Sequence, residues 1–156
     1  MRALVQRVSS AQVEVDNQII GQIGRGLLVL VAVHGQDDDK TVQWMANKLL
    51  SLRLFSDDAG KMNLSCQDIG GDILVVSQFT LYGDCRRGCR PSYSNSAPSA
   101  VAEPMYRNLV ERLKLSGLKI QEGMFQAHMK VSLLNDGPVT VLVDSPMSNG
   151  NKSNNG

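Results

Sequence analysis

Ser77-Gln78-Phe79-Thr80 sets two hydroxyls, an amide and a ring directly behind the apolar run Ile73-Leu74-Val75-Val76. That run, entered through Gly70-Gly71, reads as a buried strand. Polar groups at the end of a core strand are held firmly enough for chemistry. A hydroxyl becomes a nucleophile only beside a base, however. The chain holds two histidines. His34 follows an apolar run and His128 lies on a polar face, neither within a Gly-x-Ser-x-Gly frame. A serine-histidine-acid triad is therefore weakly supported, and the same four residues fit a strand running out into a loop. The second unusual stretch is Asn135-Asp136-Gly137-Pro138-Val139-Thr140. Proline lacks a backbone donor and fixes φ, so Gly137-Pro138 can present its carbonyls in a set geometry, or simply close a hairpin.

Metal chemistry finds little footing. Cys85-Arg86-Arg87-Gly88-Cys89 has neither a second ligand pair for zinc nor the two-residue spacing of a redox dithiol. No metal and no cofactor is expected. Arginines beside the thiols allow a redox role, with incidental loop cysteines as the plainer account. Arg86, Arg87 and Arg90, in a loop that also carries Gly88 and Pro91, have the donor geometry to grip phosphates, or they are solvated charge.

The elements that must position these groups follow from periodicity. Residues 2–8 and 11–15 alternate as strands, and Asp16-Asn17 turns the second into a hairpin with Ile19-Ile20. Leu27 through Val33 is continuously apolar, as a strand covered on both faces would be. Asp37-Asp38-Asp39 caps a helix whose face is Val42, Met45, Ala46, Leu49 and Leu52. Residues 61–72 read as loop or short edge structure, and 82–98 as a long irregular segment of the functional kind. A second helix carries Val101, Met105, Leu109 and Leu113, with Gly117 as its stop and Pro104 either near its first turn or kinking it. Phe125, Ala127, Met129, Val131 and Leu133 alternate with polar residues as a half-buried strand, paired through Asn-Asp-Gly-Pro with 139–143. Strands, helix, strand, helix, strands make a mixed α/β domain without the regular alternation of a doubly wound sheet.

With 156 residues, 42% hydrophobic and 20% charged, one domain over 1–144 is expected, followed by a disordered low-complexity tail over 145–156. A net charge of +1 gives no global attraction to nucleic acid, so a polyanion must be held by a local patch. No apolar run is long enough to cross a bilayer. Three cysteines, an odd number without a secretory pattern, are expected as reduced thiols in the cytoplasm.

Taken together, Ser77-Gln78-Phe79-Thr80-Leu81, Gly88-x-Arg90-Pro91-Ser92-Tyr93 and Val131-Ser132-Leu133-x-Asn135-Asp136-Gly137-Pro138-Val139-Thr140 resemble the D-aminoacyl-tRNA deacylase family. The likeness runs from Met1 to about Asp144. It implies a single domain of mixed, largely antiparallel sheets in a barrel-like arrangement packed by two main helices. It also implies hydrolysis of the ester between a D-amino acid, or glycine mischarged on tRNA-Ala, and the 3′ end of tRNA. On the matching positions, Ser77, Gln78, Phe79 and Thr80 would line the chemical end, with the N–H groups of Phe79 and Thr80 facing the oxyanion. Gly137 and Pro138 would form a cis dipeptide lent by the partner of a homodimer, excluding L side chains. Ala102, Phe125 and Met129 would surround the terminal adenosine, although they read equally well as core. The sequence departs at Cys89, where the family commonly has asparagine, and at Tyr93, where it has phenylalanine. Other readings are a sister branch with a trans Gly-Pro acting on L-alanyl-tRNA, a non-catalytic nucleic-acid-binding protein of the DNA-unwinding-element type, and a redox protein using Cys85 and Cys89.

Overall fold

The computed structural model describes residues 1–146; most of the low-complexity tail expected over 145–156 lies outside them. Its organising strand is β1 (Arg2–Val15). One edge of β1 pairs with β3 (Gly26–Ala32) along its first half and with β2 (Gln18–Ile23) along its second. The other edge pairs with β8 (Lys130–Asp144) from Arg2 to Glu14. β6 (Asp72–Ser77) runs parallel to β3, and β7 (Ile120–Glu122) parallel to β6. The six-stranded sheet curls into a nearly closed barrel, because its two ends, β2 and β7, also lie against each other. β4 (Arg53–Ser56) and β5 (Met62–Ser65) form a separate hairpin, whose second strand falls within the 61–72 read as loop or short edge structure.

The residues at 2–8 and 11–15 are one strand rather than two. Ala3 and Val5 face the helices, whereas Val8, Ala11, Val13 and Val15 pack inside the barrel with Leu28 and Leu74. The shift of phase that suggested two strands is absorbed by irregular register against β8, on either side of Val8. The hairpin turn at Asp16 and Asn17 has φ of 49° and 62°, a left-handed conformation that short polar side chains tolerate.

Helix α1 (Asp39–Ser51) and helix α2 (Ser99–Lys114) cover one face of the barrel. All three leading carboxylates are occupied. Asp37 accepts the Met1 α-ammonium, Asp38 caps α1 by accepting from Thr41 N–H at 2.9 Å, and Asp39 holds Arg112 of α2 at 2.8 Å. In α2 the buried face is Tyr106, Leu109, Val110 and Leu113; Val101, expected on that stripe, is exposed. Pro104 sits inside α2, past its first turn.

The largest correction concerns the C-terminal half. Residues 125–129 are not strand: β8 begins only at Lys130. Nor does Asn-Asp-Gly-Pro turn the chain. β8 runs straight through it, and residues 136–139 swell out as a bulge opposite the single residue Arg7, since Gln6 pairs with Thr140 and Val8 with Asn135. The spacing of apolar residues misled because a cleft wall demands the same alternation as a sheet face. Gln126, at φ 62°, breaks the extended backbone before a strand can form.

Candidate active site

β6 points its polar end out of the core at Ser77, and the chain at once tightens into a 3-10 turn over Phe79–Tyr82. Gln78 N–H still donates to Val31 O of β3 at 2.7 Å, which anchors the start of the turn to the sheet. The turn's first internal bond is Leu81 N–H to Gln78 O at 3.2 Å, so the N–H groups of Phe79 and Thr80 head it without intrahelical partners. Phe79 lines the neighbouring cleft, whereas Thr80 is not among its lining residues.

The cleft, about 640 Å³, opens between the ends of β3 and β6, the start of α2 and the segment 123–129. Its lining unites Ser77, Gln78 and Phe79 with Ala102, Phe125 and Met129, six of the residues singled out in the sequence. Tyr106 forms part of the wall, its hydroxyl donating to Val75 O at 2.9 Å and its ring 5.8 Å from that of Phe125. Burial pushes the Tyr106 phenol well above its ordinary pKa, so it stays protonated as a donor. At the mouth, Phe79 meets Tyr93 edge to face at 5.1 Å. An apolar slot with aromatic walls and a few polar groups at one end suits a flat heterocycle with a polar tail.

Segment 123–129 is tied to β6, to itself and to α2. Gly123 N–H donates to Val75 O at 2.9 Å, Met124 N–H to Met129 Sδ at 3.4 Å, and the Gln126 amide to Ser99 Oγ at 2.7 Å. Phe125 and Met129 therefore reach the same cleft from a loop, not from one strand face as the alternation suggested.

Thr80 is exposed, and its hydroxyl accepts from the Gln78 amide. His34 is not its base: His34 Nδ1 accepts from Gln36 N–H at 3.1 Å and the ring stands edge-on to Tyr82. His128, set aside in the sequence as a polar-face residue, lines the cleft. Tyr106 and Tyr93 were also missed as cleft residues. The demand of a buried phenol for a partner was the one available signal.

Gly137 and Pro138 do not line the cleft of their own chain. They stand exposed on the bulge, joined by a cis peptide bond. Arg7 grips the bulge from below, donating from Nε to Asp136 O at 2.9 Å and from Nη1 to Leu54 O at 2.7 Å. Asn135 closes it, its amide donating to Arg7 O at 3.0 Å and Val139 O at 2.9 Å. Gly137 has φ +135°, and a Cβ there would lie 2.8 Å from Val139 Cγ2 and 2.9 Å from Arg7 Nη2. Only glycine fits. Among the described residues no group of three or more His, Cys, Asp or Glu gathers as a metal site.

A nearly closed barrel flanked by two helices, with a cleft where its central parallel strands end, is an architecture known from solved structures. One named c-Myc DNA Unwinding Element Binding Protein matches with a TM-score of 0.88 and 40% identity, covering 94% of this chain and 99% of that one. A probable eukaryotic D-amino acid tRNA deacylase shares the fold with a TM-score of 0.80 at 17% identity, over 91% of this chain and 97% of its own. A family model described as D-Tyr-tRNA(Tyr) deacylase matches residues 4–144, and the chain belongs to that family. It is 55% identical over 145 residues to a D-aminoacyl-tRNA deacylase of Thermotoga petrophila, covering 93% of this chain and 97% of the relative. A D-aminoacyl-tRNA deacylase of Clostridioides difficile is 55% identical over 148 residues, covering 95% and 99%.

Proposed function

We propose that the protein hydrolyses the ester joining a D-amino acid to the terminal ribose of tRNA, releasing the free amino acid and tRNA. In a chain of this family, one observation carries the reading. A single cleft brings the strand-end residues Ser77, Gln78 and Phe79 together with Ala102, Phe125 and Met129. The terminal adenine stacks between Phe125 and Met129 near Ala102, which leaves the ester at the strand end. Water adds to the ester carbonyl, the backbone N–H groups of Phe79 and Thr80 hold the resulting oxyanion, and the carbonyl–ribose oxygen bond breaks as that oxygen takes a proton. The ribose 2′-hydroxyl assists the water; Thr80 Oγ already accepts from the Gln78 amide, and His34 Nδ1 accepts from Gln36 N–H. One such backbone donor is worth about 2.7–4 kcal/mol of barrier in a studied hydrolase.

Chirality is assigned to Gly137-Pro138 of a second copy, whose carbonyls would meet the α-amino group and leave no room for an L side chain. Glycine, lacking a side chain, would pass the same filter, so glycyl-tRNA mischarged on tRNA-Ala is a further substrate. The rigid seating of the bulge by Arg7 and Asn135 supports a steric filter. The sister branch acting on L-alanyl-tRNA is disfavoured by the Ser77-Gln78-Phe79-Thr80 stretch. A non-catalytic DNA-binding role gains a namesake among the similar structures, but a net charge of +1 weighs against it.

The test is deacylation of tRNA charged with D- or L-tyrosine. Rapid loss of the D-ester alone is expected. Equal loss of both, or of neither, overturns the reading.

A further inference from the structure

The segment between Asp84 and Ser92 is a closed loop. Asp84 N–H donates to Ser92 O at 2.8 Å and Ser92 N–H to Asp84 O at 3.0 Å, so both ends are pinned together. Within it stand Arg86, Arg87 and Arg90, and its one carboxylate is Asp84. That carboxylate is already committed. Arg86 donates to Asp84 through Nε at 2.8 Å and Nη2 at 2.6 Å, and this holds the Asp84 carboxyl down at a pKa of about 2. Arg87 and Arg90 are exposed, and among the described residues neither pairs with a carboxylate. In a chain whose whole formal charge is +1, this loop is therefore a concentrated positive spot. A shallow recess of about 530 Å³ lies on it, lined by Asp84, Arg86, Arg87 and Ser92.

Its position gives the charge a use. Ser92 is followed by Tyr93, which packs on Phe79 at the mouth of the cleft. Arg90 is three residues from Tyr93, and a fully extended chain covers no more than about 3.3–3.6 Å per residue, so Arg90 starts within about 11 Å of the mouth. A substrate whose terminal adenosine fills the cleft must lead its remaining nucleotides out past this mouth. Guanidiniums there meet phosphates, for which their fork of donors is suited.

We propose that Arg87 and Arg90 form a phosphate-binding subsite for the strand of tRNA that leads into the cleft, with Arg86, ordered by Asp84, bracing the loop that carries them. The inference rests on the deacylase reading above and adds to it the residues that hold the nucleic acid away from the ester. Such contacts act by releasing counterions, so their effect is read in salt dependence: each phosphate contact adds about 0.7–0.9 to the slope of log affinity against log salt.

The experiment compares the wild-type chain with R87A/R90A and R87K/R90K on two substrates, D-tyrosyl-tRNA and the minimal ester D-tyrosyl-adenosine. On tRNA, the alanine pair is expected to lower kcat/KM about tenfold at 50 mM salt, a deficit nearly gone by 200 mM. The lysine pair, which keeps the charge, restores most of the loss. On the minimal ester, which has no phosphate, all variants should match wild type. A tRNA rate and salt slope unchanged by R87A/R90A overturn the subsite while leaving the deacylase reading intact. An equal loss on both substrates also overturns it, by showing that the loop acts through the cleft. A wild-type chain inactive on both substrates removes the deacylase reading and the subsite with it.

Discussion

At the scale of single residues, the donors proposed for the oxyanion are main-chain groups, and the nearby hydroxyl is spoken for. Thr80 Oγ accepts from the Gln78 amide, and His34, one of the two histidines, is bonded elsewhere. Thr80→Ala should therefore deacylate D-tyrosyl-tRNA near the wild-type single-turnover rate; a collapse of that rate would make Thr80 the nucleophile. The thiols sort equally clearly. Cys66 is buried, and burial pushes its pKa up to about 12, with Asp72 adding to the shift. Only the thiolate reacts, so at pH 8 Cys66 should stay unlabelled in the native state. Cys85 and Cys89 are exposed and should take an alkylating reagent readily, which intact-mass measurement would count.

At the scale of elements, the informative piece is the bulge of β8. A four-residue swelling, 136–139, survives in the middle of a long strand because Arg7 and Asn135 satisfy its backbone and Gly137 accepts φ +135°. Gly137→Ala forces a side chain into a region reserved for glycine, at a cost of about 1–3 kcal/mol. The variant should fold, since the bulge is exposed, but its preference for D- over L-esters should fall. An unchanged ratio of the two deacylation rates would remove this bulge from chiral selection. The sequence foretold the peculiarity of Asn135–Thr140 but not its form. A hairpin and a bulge both want glycine and proline, and only the pairing of β1 with both halves of β8 distinguishes them.

At the scale of the whole molecule, Gly137 and Pro138 are absent from the cleft of their own chain, so the proposed filter would need a second copy. β8 is an edge strand, and Leu134 and Leu142 on it are 61% and 54% exposed. Apolar side chains along an unpaired edge mark a surface that associates. Sedimentation should find a dimer, and L134E/L142E should shift it to monomer with deacylation lost. A monomeric wild type that still separates D- from L-esters would sink the cross-subunit filter.

The local pattern of the chain was enough to read the buried strands 27–33 and 73–76 within a residue or two, the acid-capped helix α1 and the hairpin at Asp16-Asn17, because each rests on side-chain periodicity or turn chemistry. It also marked Ser77, Gln78 and Phe79 as polar groups at the end of a core strand, whereas Ala102, Phe125 and Met129 were assigned to the site only through likeness to a family. What no local pattern contains is which distant segments meet. That Phe125 and Met129 arrive from a loop, that Tyr106 and His128 join them, and that Arg7 clamps a bulge at 136–139 follow from barrel closure across the length of the chain. Periodicity reports whether a side chain is buried. It cannot report against what, and a cleft wall and a sheet face bury the same residues.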